Sequence, residues 1–111
     1  MTGSRGAGSL RQSNMEHRQG GRRRVLVLAR VQQRDGQSEG GIVYDISRDG
    51  MFVVSVLKPG LYNHVNVVAT GADGTPILFP GIVIHHNESG FGLLFQQLDG
   101  SARSFLQKCL C

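Results

Sequence analysis

The sequence predicts an antiparallel all-β fold, a barrel or sandwich of six short strands with one helix packed against it. Two observations carry this. From Val25 onward, short apolar or alternating runs are broken by Gly, Pro, Asn and Asp at the spacing of β structure, and only the last dozen residues change to a helical period. Composition agrees, because 16 glycines and 18% charged residues in 111 are unlike a coiled coil or a helical bundle.

The first strand is expected over Val25–Val31, ended by the polar run Gln32–Gly40, with Asp35-Gly36 as the hairpin turn. Gly41–Ile46 alternates Ile42, Tyr44 and Ile46 against Val43 and Asp45, so the former three are expected on one face. Met51–Val56 follows a very tight connection and stops at Lys58-Pro59-Gly60. His64–Thr70 alternates again, and Asp73-Gly74 turns the chain into Ile77–His86. Pro76 and Pro80 bracket the start of that run, which marks an edge or a bulge, because proline cannot donate to the ladder. Asn87 to Gly90 lead into the sixth strand, Gly90–Gln96. Ala102, Phe105, Leu106, Cys109 and Leu110 then fall on one face of a helix over residues 100–110, with Ser101 or Asp99 as its N-cap. No internal repeat, heptad or linker is visible in the sequence.

The net charge of +4 is unevenly spread. Residues 1–24 hold six arginines against Glu16, a net +5, whereas residues 25–111 carry six cations and seven acids. The basic character belongs to an N-terminal arm and not to the folded body, and such an arm suits an anionic partner. Residues 1–15, rich in Gly, Ser, Arg, Gln and Asn, bury too little apolar surface to offset ordering entropy and are expected to be a disordered tail. Gly20-Gly21 gives the arm of residues 16–24 a flexible joint. No run reaches the roughly 20 apolar residues of a membrane span, and no secretory signal is seen, so the expectation is a soluble cytoplasmic protein. Cys109 and Cys111 are too few and too close for a zinc site or a structural staple and read as ordinary thiols.

Asp45-Ile46-Ser47-Arg48-Asp49-Gly50 is the densest polar cluster of the body. Alternation puts Asp45 and Ser47 on one side, where both could address one ligand. Gly50 would supply a positive φ or let a ligand approach the backbone. The competing reading is a plain turn, with Asp45 and Ser47 capping backbone groups and Gly50 closing the bend. Arg18 and Arg22 place two guanidiniums four residues apart, able to fork onto phosphate oxygens or a guanine edge. Any arginine-rich tail yields that spacing easily. His85-His86-x-Glu88 is a weak metal candidate, because adjacent strand residues point to opposite faces and no further ligand is evident; no metal or cofactor is expected. Most of the seven aromatics occupy apolar phases and read as core instead of a base-stacking platform.

In order and spacing, the two motifs resemble the PilZ domain, the bacterial receptor module for cyclic di-GMP. Arg18-Gln19-Gly20-Gly21-Arg22 matches the family's RxxxR, and Asp45-Ile46-Ser47-Arg48-Asp49-Gly50 matches its [D/N]xSxxG. Met51-Phe52-Val53, the strand Gly90-Phe91-Gly92-Leu93-Leu94-Phe95 and the closing helix fit as well, so the resemblance covers residues 16–110. It implies a six-stranded antiparallel barrel over residues 25–97, with the nucleotide clasped between its outer surface and the arm. Arg18 and Arg22 would contact guanine edges and phosphates, Asp45 and Ser47 would hydrogen-bond guanine and phosphate groups, and Gly50 would leave room. Arg23 and Arg24 would each be an auxiliary phosphate contact or a solvated entry to the first strand. Two departures stand out: His17 replaces the arginine that often precedes the first of the pair, and Gly20-Gly21 loosens the arm.

The implied function is a non-enzymatic cyclic di-GMP receptor whose arm closes on the nucleotide and alters contacts with a downstream protein partner. Outputs in the family include motility, biofilm matrix and virulence. The alternative is a degenerate PilZ-like adaptor that binds protein without nucleotide. A nucleic-acid-binding barrel is disfavoured by the neutral body, and catalysis by the lack of a recognisable nucleophile, base or metal set.

Overall fold

The computed structural model describes residues 21–111. The tail of residues 1–15 and the arm as far as Gly20, including Arg18, lie outside the described residues. Six strands, β1 (Arg23–Gln33), β2 (Ser38–Ile46), β3 (Gly50–Ser55), β4 (His64–Thr70), β5 (Pro76–His86) and β6 (Gly90–Phe95), precede one helix, α1 (Gly100–Leu110). They form a closed barrel in the order β1-β2-β3-β6-β5-β4, with every pairing antiparallel.

β1 and β2 are longer than their apolar runs. Arg23, Arg24, Gln32 and the Ser38–Gly40 stretch join the ladder through backbone groups, which pair whatever the side chain's polarity. The hairpin between them narrows to a turn closed by the Gln33 N–H donating to the Gln37 carbonyl at 2.8 Å, with Gly36 at φ 94°. Pro76 and Pro80 are accommodated by a division of β5. Its first part pairs with β4 alone and β6 joins only from Gly81, so both prolines lie where one side of the strand has no strand neighbour.

The expected alternation in β2 fails at one point. Val43 and Ile46 are buried while Ile42 is 39% exposed, because the β2–β3 register shifts between Val43 and Asp45. Tyr44 is the extra residue of this bulge, and it re-phases every position before it. The β1–β2 register also shifts, between Arg24 and Val27, and a further bulge lies in β5, where the β5–β6 register shifts between Val83 and His85.

The interior is filled by Val31, Val43, Ile46, Val53, Phe79 and Phe91, all buried, and each such side chain contributes about 1.5–3 kcal/mol on leaving water. The helix seals this core with Ala102 and Leu106, and Phe105 meets the Phe79 ring edge-on at 5.8 Å. Asp99, and not Ser101, is its N-cap, its carboxylate accepting from the Ala102 N–H at 2.9 Å. Cys109 is partly buried on the same stripe, and that burial pushes its thiol pKa up. No helix among the described residues is long and apolar enough to cross a membrane.

Candidate functional site

The β2–β3 connection is a four-residue turn, Ser47 to Gly50, closed by the Ser47 N–H donating to the Gly50 carbonyl at 2.8 Å. The Ser47 hydroxyl accepts from the N–H groups of Asp49 (3.3 Å) and Gly50 (3.2 Å) and donates to the Gly50 carbonyl (3.3 Å). Its one proton and two lone pairs are thereby used inside the turn. The turn reading therefore describes Ser47, and a ligand would have to exchange for one of these bonds.

Gly50 does not supply the positive φ considered for it. A Cβ there would lie 2.2 Å from the Leu93 carbonyl oxygen, so glycine is required for β3 to lie against β6 at the Gly50–Leu94 pair.

Asp45 behaves differently. It caps nothing in the turn; its Oδ1 accepts from Nε and Nη2 of Arg22, the former at 3.1 Å. Twenty-three residues apart in sequence, these two side chains form a salt bridge on the outer wall, 49% and 26% exposed. Among the described residues no hydrogen bond reaches Asp45 Oδ2, which leaves one carboxylate oxygen as an acceptor in a side chain 26% exposed. An ionised carboxylate suits the N–H donors of an amidine-like edge such as guanine's.

Arg23 and Arg24 part company at the start of β1. Arg23 pairs with Ile46 and Arg24 with Asp45. Directly opposed residues share a face, so Arg24 is on the Asp45 side and Arg23 on the side of the buried Ile46. This argues against Arg23 as a contact beside Asp45. Arg24 lies over the Tyr44 ring, its Cζ 4.3 Å from the centroid, a cation–π contact that the bulge makes possible by turning Tyr44 outward.

Arg22, Asp45, Ser47 and Gly50 all line one surface cavity of about 480 Å³. Its further walls come from residues that neither motif contains, Phe52, His85 and Gly92. Phe52 is half-buried on the outside of the barrel, stacked on His85 with centroids 5.8 Å apart and planes at 18°. Phe79, Phe91, Phe95 and Phe105 are the aromatics in or against the core, and Phe52 stands outside it. Tyr62, 73% exposed, is also outside the core. No signal in the sequence marks the Phe52–His85 pair, because it depends on β3 and β5 both flanking β6. Among the described residues no three His, Cys, Asp or Glu side chains gather into a metal-sized cluster.

No curated protein matches the chain. A family model, described as the PilZ domain, matches residues 16–110, and that span contains the barrel, the helix and every residue of both motifs. PilZ domains are binding and adaptor modules of cyclic di-GMP signalling and not enzymes. Nearly the whole chain is covered by the match, and it belongs to the PilZ domain family.

Proposed function

We propose that this protein is a cyclic di-GMP receptor, with Arg18 and Arg22 of the arm and the Asp45-x-Ser47-x-x-Gly50 turn clasping the nucleotide on the barrel wall. The observation that supports this most is the meeting of Arg22 and Asp45 at the rim of a cavity, although one comes from the arm and the other from the end of β2. Asp45 accepts from the guanine N1–H and N2–H₂ donors, while Arg22, able to leave its present partner at small cost, forks onto a phosphate or onto guanine O6 and N7. Arg18 supplies the second guanidinium. Ser47 holds the turn on which Asp45 stands and exchanges one turn bond for a ligand oxygen.

Binding is then an ordering switch. Nucleotide favours the state in which the arm lies on the barrel, and it does so by its differential affinity for that state. The new surface is read by a downstream protein. Because the messenger is made and destroyed inside the bacterial cell, this function places the protein in the cytoplasm.

Isothermal titration of cyclic di-GMP into the wild type, Arg22→Ala and Asp45→Ala, with linear GMP as control, tests the proposal. Saturable heat in the wild type that is lost in both variants and absent with GMP is the expected result. A wild type that gives no heat and no thermal protection at millimolar nucleotide would overturn it and leave the protein-binding adaptor.

A further inference from the structure

The cavity that holds Arg22 and Asp45 has a second side built by the barrel itself. Across three adjacent strand pairs, Asp45 of β2 is opposite Phe52 of β3, Phe52 is opposite Gly92 of β6, and Gly92 is opposite His85 of β5. Opposed residues share a face, so these four form one row on the outer wall. The row depends on the bulges in β2 and β5, which set Asp45 and His85 into phase with their partners.

Gly92 is the notch in the row. A Cβ there would lie 2.3 Å from His85 Nε2 and 2.6 Å from His85 Cδ2, so the imidazole lies directly over bare backbone. Lying there brings it into the stack with Phe52. The result is a flat aromatic shelf beside the Arg22–Asp45 pair, with Ile84 and Leu94, 45% and 40% exposed, at its margins. One side of the cavity presents a hydrogen-bonding acceptor and a guanidinium, and the other presents an aromatic face.

A carboxylate and a guanidinium alone would suit many ligands. An aromatic face beside them narrows the class to planar, edge-functional rings, because stacking rewards a π surface and hydrogen bonding rewards its rim. Resting on the cyclic di-GMP function above, we propose that Phe52, His85 and Gly92 form a stacking shelf for one purine ring, so that the site reads a guanine by its edge at Asp45 and by its face at His85. His85 is the exposed member of the stack and the one that meets the base; Phe52 backs it. Gly92 keeps the shelf low enough for the ring to lie flat.

The chain contains no tryptophan, so His85→Trp introduces a single indole as a reporter. On titration with cyclic di-GMP, His85→Trp is expected to bind and to show strong quenching of indole emission that saturates with the calorimetric isotherm. His85→Ala is expected to weaken binding roughly tenfold or more, and His85→Phe to stay within about threefold of the wild type. The free-state urea midpoints of His85→Ala and His85→Phe are expected to match the wild type, which separates base contact from a structural role. Wild-type affinity in His85→Ala, or His85→Trp that binds with unchanged emission, would overturn the shelf while leaving the receptor function standing. Absence of binding by the wild type would overturn both.

Discussion

The two short connections that open β3 and β6 are built alike, and among the described residues only the first follows a carboxylate paired with Arg22. Ser47 to Gly50 is closed by an N–H···O bond of 2.8 Å between its end residues, and Asn87 to Gly90 by one of 2.9 Å. In each, the first side chain accepts from the third and fourth N–H groups: Ser47 Oγ at 3.3 and 3.2 Å, Asn87 Oδ1 at 2.8 and 3.1 Å. Each ends in a glycine pressed on the other strand, since a Cβ at Gly50 would meet the Leu93 carbonyl at 2.2 Å and one at Gly90 the Val53 carbonyl at 1.8 Å. Each also follows a bulge in the strand before it. What differs is the residue two places before the turn, Asp45 in one and His85 in the other, and the salt bridge that Arg22 makes to the first.

This likeness divides the [D/N]xSxxG motif by task. Serine and glycine are mainly turn and sheet chemistry, which the other turn reproduces with asparagine and glycine. In the proposed receptor, recognition is assigned to Asp45 and to Arg22 beside it. A residue can belong to a binding motif because it builds the platform, and such a residue is expected to move stability when changed.

The glycines give the largest effect by which this division can be broken. Gly50→Ala and Gly90→Ala each force a Cβ into a backbone carbonyl, and both are expected to lose about 3 kcal/mol or more in urea unfolding. A Gly50→Ala variant as stable as the wild type, but unable to bind nucleotide, would move Gly50 to the recognition side. Next come the caps. Ser47→Ala and Asn87→Ala each strip two N–H groups of their acceptor, and each is expected to lower stability by about 1–2 kcal/mol. Ser47→Ala should also weaken cyclic di-GMP, by less than Asp45→Ala does; an effect on binding with none on stability would contradict its place in the turn.

Smaller still is the expected effect on stability of Arg24→Ala, which removes the cation–π contact with the bulge residue Tyr44. About 0.5–1 kcal/mol is the usual size of such a contact at an exposed site. The corresponding bulge residue in β5, Ile84, has no such partner among the described residues. Equal stability of Arg24→Ala and the wild type would show that the β2 bulge holds its shape without the cation.

Much of this fold was legible in the sequence because its strands are short apolar runs with turn residues between them. The His64–Thr70 strand and the helix over 100–110 match β4 and α1 end to end, since both are bounded by residues with a local reason to stop an element. Polar extensions of β1 and β2 were not legible, because a backbone ladder does not depend on hydropathy. Nor were the register shifts in β1, β2 and β5. Ile42 is exposed and Val43 buried as a consequence, which strict alternation cannot anticipate. For the site, Asp45 and Arg22 could be read from spacing, whereas Ser47's saturation inside the turn and Gly50's contact with β6 required the neighbouring strand to be known. The row from Asp45 to His85 was wholly illegible, because β3 and β6 pair across 40 residues of chain in the Phe52–Gly92 register.

The most direct test of the division between platform and recognition is urea unfolding of the wild type and Asp45→Ala, each with and without cyclic di-GMP at about a hundred times its dissociation constant for the wild type. Without nucleotide the two should unfold within about 1 kcal/mol of each other, the size of an exposed salt bridge. With nucleotide the wild type should gain about 2.7 kcal/mol by mass action, and Asp45→Ala should not move. An Asp45→Ala protein that is stabilised by cyclic di-GMP as much as the wild type would contradict the assignment of recognition to Asp45.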